Sequence, residues 1–424
     1  MWGYKMLIRW LYNVLLWVAA PFMLYSLYKS KPGKPAFGRR WREHFGRVPK
    51  LNSTSPPVWI HAVSVGESIA AIPIIHAIKQ RYPHQLIVVT TTTSTGAQQI
   101  AKLGDLVEHR YMPLDFSGCV RRFLNVIQPS QLLIIETELW PNTLRCVAQR
   151  SIPITVINAR LSERSCQRYQ KFQPVFDQLA SHITKLLCQY PSDAERFLRL
   201  GVAKEKVMVT GSIKFDIDIK KQVVQAGQQL RQQLGQHRPV WIAASTHKGE
   251  DELCLAAHRQ VLTTYPEALL ILVPRHPERF DSVAELCLSH GFTLSRRTGA
   301  DNVHSQVYLG DTMGEMLTLI GSADVCLMAG SLLGDKVGGH NPLEPAALGK
   351  PILTGPSYYN FSEVTEMLLA ANAVRLCASP QDIAQALVEL FSQPEVALAQ
   401  GQQAAQVVAN NRGALEKTIS TILL

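Results

Sequence analysis

Paired cysteines are missing from this chain. Its eight cysteines, at 119, 146, 166, 188, 254, 287, 326 and 377, include no C-x-x-C pair, which removes the zinc and dithiol-redox signatures. Thiols scattered in this way suit a reducing compartment, so the body is expected in the cytoplasm. Low-complexity tracts and repeats of fixed period are also missing, which argues against a disordered scaffold or a solenoid. The 424 residues therefore read as globular, too long for one ordinary domain and sufficient for two.

Acids are nearly absent from the first fifty residues. Ten Lys or Arg (Lys5, Arg9, Lys29, Lys31, Lys34, Arg39, Arg40, Arg42, Arg47, Lys50) face one acid, Glu43, a balance of +9 within a total of +10. The remaining body is close to neutral, unlike a fold that reads a nucleic acid with a basic face. This charge adjoins WLYNVLLWVAAPFMLYSLY, residues 10–28, which is bracketed by Arg9 and Lys29 and carries Trp and Tyr towards both ends. That composition reads as a membrane anchor, near the lower length limit for a spanning helix. Asn13, Pro21 and Ser26 weaken the span, and a helix lying in the interface is the near competitor. A cleaved signal peptide is a third reading, but no small-residue cleavage site precedes the basic stretch. The basic flank is expected to hold the body on the cytoplasmic side of the membrane and to attract anionic head groups.

Beyond the anchor, apolar β-branched runs alternate with helical patterns. Strands are expected at 58–63, 86–91, 131–136, 153–157 and 206–210, then at 239–244, 268–273, 305–309, 324–329 and 351–354. Such runs separated by helices indicate parallel sheets covered on both faces. The Gln-rich stretch 217–238 reads as a linker with a surface helix. The expected architecture is α/β: two doubly wound Rossmann-like domains facing a cleft, behind an N-terminal anchor helix. The boundaries are 1–34 for anchor and basic neck, 35–216 for an N-terminal domain and 217–424 for a C-terminal domain. The last helices are expected to be able to pack back on the N-terminal domain. Ligands of such sheets bind beyond the carboxyl ends of the strands, so polar residues just after strands are the candidates.

Glu67 is the first. In VWIHAVSVGESIAAI a strand turns at a glycine and meets this carboxylate before a helix expected to break or kink at Pro73. The bland role is an acid in the first helical turn, favoured by the macrodipole; the functional one is a general base. In QLLIIETELWPN, Glu136 and Glu138 share one face if the strand continues, with Arg160 as a structural partner. Lys214, in VTGSIKFD, suits a single phosphate. Asp216 and Asp218 have D-x-D spacing too common to argue for a metal, and none is expected. In the second half, Ser245 and Thr246 precede a helix and can form an anion cradle or an ordinary cap. Pro274 and Arg275 end a strand, while Met313, Gly314 and Glu315 form a turn. Asn341, as cap, Pro342, Leu343 and Glu344 enter a helix from a glycine-rich loop. An acid such as Glu344 can accept both hydroxyls of a ribose. Together these loops suggest a nucleotide site.

The ordered stretches HAVSVGE, ETELWPN, NARLS, TGSIKFD, STHKGE, VPRHPERF, GDTMGEM and GGHNPLEPA resemble the bacterial 3-deoxy-D-manno-octulosonic acid (Kdo) transferases of lipopolysaccharide synthesis. The resemblance covers nearly the whole chain. It implies a B-type glycosyltransferase fold, CMP-Kdo as donor, and the phosphorylated, acylated precursor of lipid A (lipid IVA) as acceptor. It further implies an inner-membrane location and no cofactor. On this resemblance Glu67 is the catalytic base, and Glu136 and Lys214 stabilise the transition state. Pro274, Arg275, Met313–Glu315 and Asn341–Glu344 contact CMP. The stretch LLGDKV before GGH is the least matched. Rival readings are another B-type nucleotide-sugar transferase or epimerase, or a membrane-anchored nucleotide-binding protein without chemistry.

Overall fold

The structure, a computed structural model, describes residues 2–29, 35–52, 55–299 and 305–422. The end of the expected basic neck, 30–34, lies outside the described residues. Two compact units result: Met1–Asp216 with Arg412–Leu424, and Ile217–Asn411.

The first unit holds seven parallel strands: β1 Val58–His61, β2 Ile87–Thr91, β3 Glu108–Tyr111, β4 Gln131–Ile135, β5 Ile154–Ala159, β6 Lys185–Cys188 and β7 Val207–Val209. Their order is β3-β2-β1-β4-β5-β6-β7. Central β1 pairs Val58 with Ile87 on one side and with Gln131 on the other. Both faces are buried, and side chains alternate between them. Trp59, Val88 and Leu132 join one apolar cluster, while Val58, Ile60 and Leu133 join the other. Each such side chain contributes about 1.5–3 kcal/mol when fully buried. The last helix, Ala414–Ile422, adds Ile419 to the second cluster. Asp216 holds its start, accepting the Gly413 and Leu415 N–H groups at 2.6 Å each.

The second unit repeats the plan with β8 Val240–Thr246, β9 Leu269–Pro274, β10 Leu294–Arg296, β11 Val307–Leu309, β12 Val325–Met328, β13 Ile352–Thr354 and β14 Val374–Leu376. The order is β10-β11-β9-β8-β12-β13-β14. In both sheets the order reverses beside the first strand, between β1 and β4 and between β8 and β12, which marks the switch points where ligands of such sheets bind.

All ten expected strands are present, and four more join them. Of those four, β3, β10 and β14 are short edge strands with polar or charged residues, so they lack the apolar run that betrays a buried strand. The helix after β1 does not break at Pro73; it runs unbroken over Val65–Arg81. The stretch 217–238 holds the expected surface helix, with one face packed inward. Its helix, Lys221–Leu234, buries Gly227, Leu230 and Leu234, and a Cβ at Gly227 would stand 3.2 Å from the Gly321 Cα. All eight cysteines are buried and free.

Residues 2–28 form one helix. It is seated on the first unit by polar contacts: the Tyr12 hydroxyl donates to Asp115 Oδ2 at 2.7 Å, and Asn142 Nδ2 donates to Asn13 Oδ1 at 2.9 Å. The Trp17 and Phe116 rings lie 4.7 Å apart. Asn13, a defect in a spanning helix, is thus a docking residue. Trp10, Leu15, Val18 and Phe22 remain exposed. The following Gly38–Phe45 segment is a 3₁₀ helix whose only acid, Glu43, is buried. Its carboxylate pairs with Arg40 and accepts the Tyr111 N–H of β3 at 2.7 Å.

Candidate active site

In the first unit the chain leaves β1 and reaches Glu67 within one turn. Ser64 is the N-cap of the helix and Glu67 stands three residues on, the spacing of a capping box. The Glu67 carboxylate accepts the Val63 N–H at 2.6 Å and the Ser64 hydroxyl at 3.1 Å. The bland role is therefore real. The group is nonetheless only 7% exposed. Burial pushes its pKa up to about 7, the charges of Glu138 and Glu136 add to the rise, and the two hydrogen bonds oppose it. A carboxyl poised there can take a proton near neutral pH.

The neighbouring acids come from the strand on the other side of the switch point. The strand expected to carry Glu136 and Glu138 on one face stops at Ile135, and Glu136 turns into the left-handed region at φ 61°. Parity therefore does not bring the two acids together; the turn does. A non-glycine residue held there stores strain of about 1–3 kcal/mol, as ligand-facing turns often do. The Glu136 N–H donates to Ile157 O at 2.9 Å, anchoring the turn. Burial, then the charge of Glu136, raises the pKa of Glu138. Arg160 meets this loop through main-chain contacts, its N–H donating to the Thr137 hydroxyl at 3.2 Å. Lys214 sits in a single 3₁₀ turn, Ile213–Phe215, between two buried apolar residues. That turn is held by Asn158, whose Oδ1 accepts the Ile213 N–H at 3.3 Å.

In the second unit, Ser245 also takes a left-handed conformation, φ 64°, where the β8–β9 register slips. Thr246 is fully buried, and its hydroxyl donates to Asp251 Oδ1 at 2.6 Å, so it shapes the loop from within. Asp251 pairs in turn with Arg279. Pro274 ends β9, and the exposed Arg275 is fixed by its N–H donating to Thr246 O at 2.9 Å. Met313 and Gly314 are exposed, with Gly314 at φ 87°. Glu315 is bound to Arg297, whose Nη2 lies 2.9 Å away and holds its pKa down. Asn341 Oδ1 accepts the Leu343 N–H at 3.1 Å, although the helix Leu343–Ala347 has Pro342 as its formal N-cap. Glu344 lies close enough to Arg275 for that charge to act on it, while burial raises its pKa. The glycine loop is sterically required: a Cβ at Gly338, which has φ 87°, would stand 2.3 Å from the Tyr359 ring.

Several residues carried no signal in the sequence reading. Glu250 is fully buried and accepts four main-chain N–H groups, from His247, Gly330, Ser331 and Leu332, at 2.8–3.0 Å. It clips the loop after β8 to the loop after β12 across the switch point. The His247 and His340 rings lie nearly parallel and end to end, with their Nε2 atoms 2.9 Å apart, so one ring donates to the other. Burial, with His247, Arg275 and His276 nearby, pushes His340 down to about 4. At the end of β1, His61 is buried and pushed down to about 4 by that burial, so it is neutral. The available hint was repetition: a Gly-Glu pair, Gly66-Glu67 and Gly249-Glu250, follows the first strand of each unit.

Residues 39–217 match the family model described as 3-deoxy-D-manno-octulosonic-acid transferase (kdotransferase). The chain is 40% identical over 421 residues to the 3-deoxy-D-manno-octulosonic acid transferase of Haemophilus influenzae, covering 98% of both chains. It is 32% identical to the Bordetella pertussis transferase of the same name, covering 86% of both. Among solved structures, a UDP-GlcNAc 2-epimerase from Neisseria meningitidis aligns with a TM-score of 0.58 at 15% identity, over 87% of this chain and all of that one. A glycosyltransferase from Rickettsia africae aligns at 0.57 and 12%, over 87% of this chain and 98% of that one. These two show the shared fold, that of the B-type glycosyltransferases. On the near full-length identity, the chain belongs to the 3-deoxy-D-manno-octulosonic acid transferase family, the glycosyltransferases that transfer Kdo in lipopolysaccharide biosynthesis.

Proposed function

We propose that the donor is CMP-Kdo, that the acceptor is the phosphorylated, acylated precursor of lipid A (lipid IVA), and that Glu67 is the general base. The observation that carries this reading is a buried carboxylate at the switch point of the first sheet whose pKa stands at about 7. Glu67 takes the proton of an acceptor sugar hydroxyl. The oxygen attacks the anomeric carbon of Kdo, the bond to CMP breaks, and the configuration inverts. The electron pair leaves on the CMP phosphate, which carries a single phosphoryl group. Arg275 supplies positive charge to meet it, and in the first unit Lys214 and Glu136 support the transition state. In the second unit Ser245, Pro274, Met313–Glu315 and Asn341–Glu344 surround the nucleotide, with Glu344 as acceptor for the ribose hydroxyls. Thr246 and Glu250 hold that loop system in shape. Glu138 and Arg160 belong to the acceptor side.

The reading needs no metal, so turnover is expected to be unchanged by EDTA. It places the enzyme at the inner membrane through the helix Trp2–Tyr28, with its body in the cytoplasm. A helix with one face docked and the other exposed and apolar suits insertion in the interface. The test is mass spectrometry of the product from purified full-length chain, CMP-Kdo and lipid IVA. One or more added Kdo residues are expected, with UDP-sugars inert as donors. No product, or transfer from a UDP-sugar, would overturn the reading.

A further inference from the structure

The last turns of the helix Trp2–Tyr28 do more than close the anchor. Met23, Leu24 and Leu27 form one wall of a cavity of about 860 Å³, with Phe37 and Trp41 among the residues opposite. That volume falls in the range of ligand pockets, about 300–1,000 Å³. Thr92, Thr93 and Ser94 also line it. These residues abut the Glu67 turn. The Thr92 N–H and the Thr93 hydroxyl donate to Val63 O at 3.3 and 3.4 Å, and the Val63 N–H is the one that Glu67 holds. The cavity therefore runs from the helix Trp2–Tyr28 to threonines that hydrogen-bond the same residue, Val63, whose N–H Glu67 holds. Trp41 and Phe45 are shared with a second cavity, about 220 Å³, lined by Arg42, Arg47 and Arg122. Apolar walls ending on guanidinium groups complement an amphiphile with an acyl chain and an anionic phosphate. The wall is fixed in place, since Tyr12, Asn13 and Trp17 seat the helix on the body.

We infer that this groove holds an acyl chain of the acceptor lipid, with an acceptor phosphate at Arg42, Arg47 and Arg122. The identity of the lipid rests on the Kdo-transfer reading; the groove itself does not.

The test uses the full chain in phosphatidylcholine vesicles and lipid IVA carrying a diazirine at the end of one acyl chain. Photolabel is expected within residues 23–29 and 35–45, and unlabelled lipid IVA should compete it away. Label confined to the exposed face at Trp10, Val18 and Phe22, or lost equally to added phosphatidylcholine, overturns the inference. Filling the groove with Leu27→Trp or, separately, Ala36→Trp is expected to lower the ratio of kcat/KM for acylated over deacylated acceptor about tenfold, equivalent to about 1.4 kcal/mol. A ratio unchanged in both variants, each melting like the wild type, also overturns it. If the wild type labels in the groove yet moves no Kdo from CMP-Kdo to either acceptor, the groove stands and the functional reading falls.

Discussion

In the first unit β1 ends at His61 and Gly66 and Glu67 lie in the first turn of the helix Val65–Arg81; in the second, β8 ends at Thr246 and the chain turns through Gly249, at φ 101°, to Glu250. Topology and the Gly-Glu pair are the same, but Glu67 is the third residue of its helix and Glu250 the first of its own, and the surroundings of the two carboxylates differ. Glu250 is ringed by four main-chain N–H groups, so its lone pairs are spent on holding two loops together. Glu67 receives one N–H and one hydroxyl, and two further carboxylates stand near it. One sequence device thus yields a structural clip where donors are plentiful and a titratable acid where they are few. Burial alone does not separate the two, since both groups are buried. The count of donors does.

Exchanging each acid for its amide breaks the comparison most sharply. Glu67→Gln is expected to lower the rate of Kdo transfer by about 10²–10⁴-fold while CMP binding stays at the wild-type level; steady-state kinetics and calorimetric titration of CMP check both halves. Glu250→Gln should act on the fold. Its amide nitrogen would face N–H donors, costing about 3 kcal/mol of stability and weakening CMP binding with it, as read by denaturant unfolding.

The pH dependence of stability sharpens the contrast further. Burial raises the folded-state pKa of Glu67 to about 7, so folding favours its protonated form. That contribution is fully present below the unfolded value, near 4.3, and is lost as pH rises to about 7. Glu67→Gln cannot ionise, so its melting temperature is expected to gain on the wild type by a few degrees between about pH 4 and 8. A mere cap would instead show a constant deficit. The smallest effect is that of Ser64→Ala. Removing the hydroxyl that stabilises the Glu67 anion should shift the acid limb of the rate profile upward, with less than a tenfold loss of rate at pH 7, and should cost about 1 kcal/mol as a lost N-cap.

Much of this was legible in the residues. Continuous apolar runs announced both sheets because both faces of each are buried, and motif order led to the family. What escaped depends on local turns of the backbone and on contacts distant in sequence. The parity argument for Glu136 and Glu138 failed because Glu136 leaves the strand at positive φ. Thr246 looked like a free hydroxyl donor, but it points inward to Asp251, a partner set by the packing of the following helix. The clip made by Glu250 was invisible because three of its four donors lie about eighty residues away. Asn13 read as a flaw in an anchor until Asn142 supplied its partner.

The most direct measurement is kcat/KM for Kdo transfer as a function of pH, which reports ionisations of the free enzyme. With Glu67 as the base, activity should fall tenfold per unit below an apparent pKa of about 7. A profile that stays flat from pH 8 down to about 5 would show an acid with the ordinary pKa of a glutamate, and Glu67 would then be a helix cap like any other.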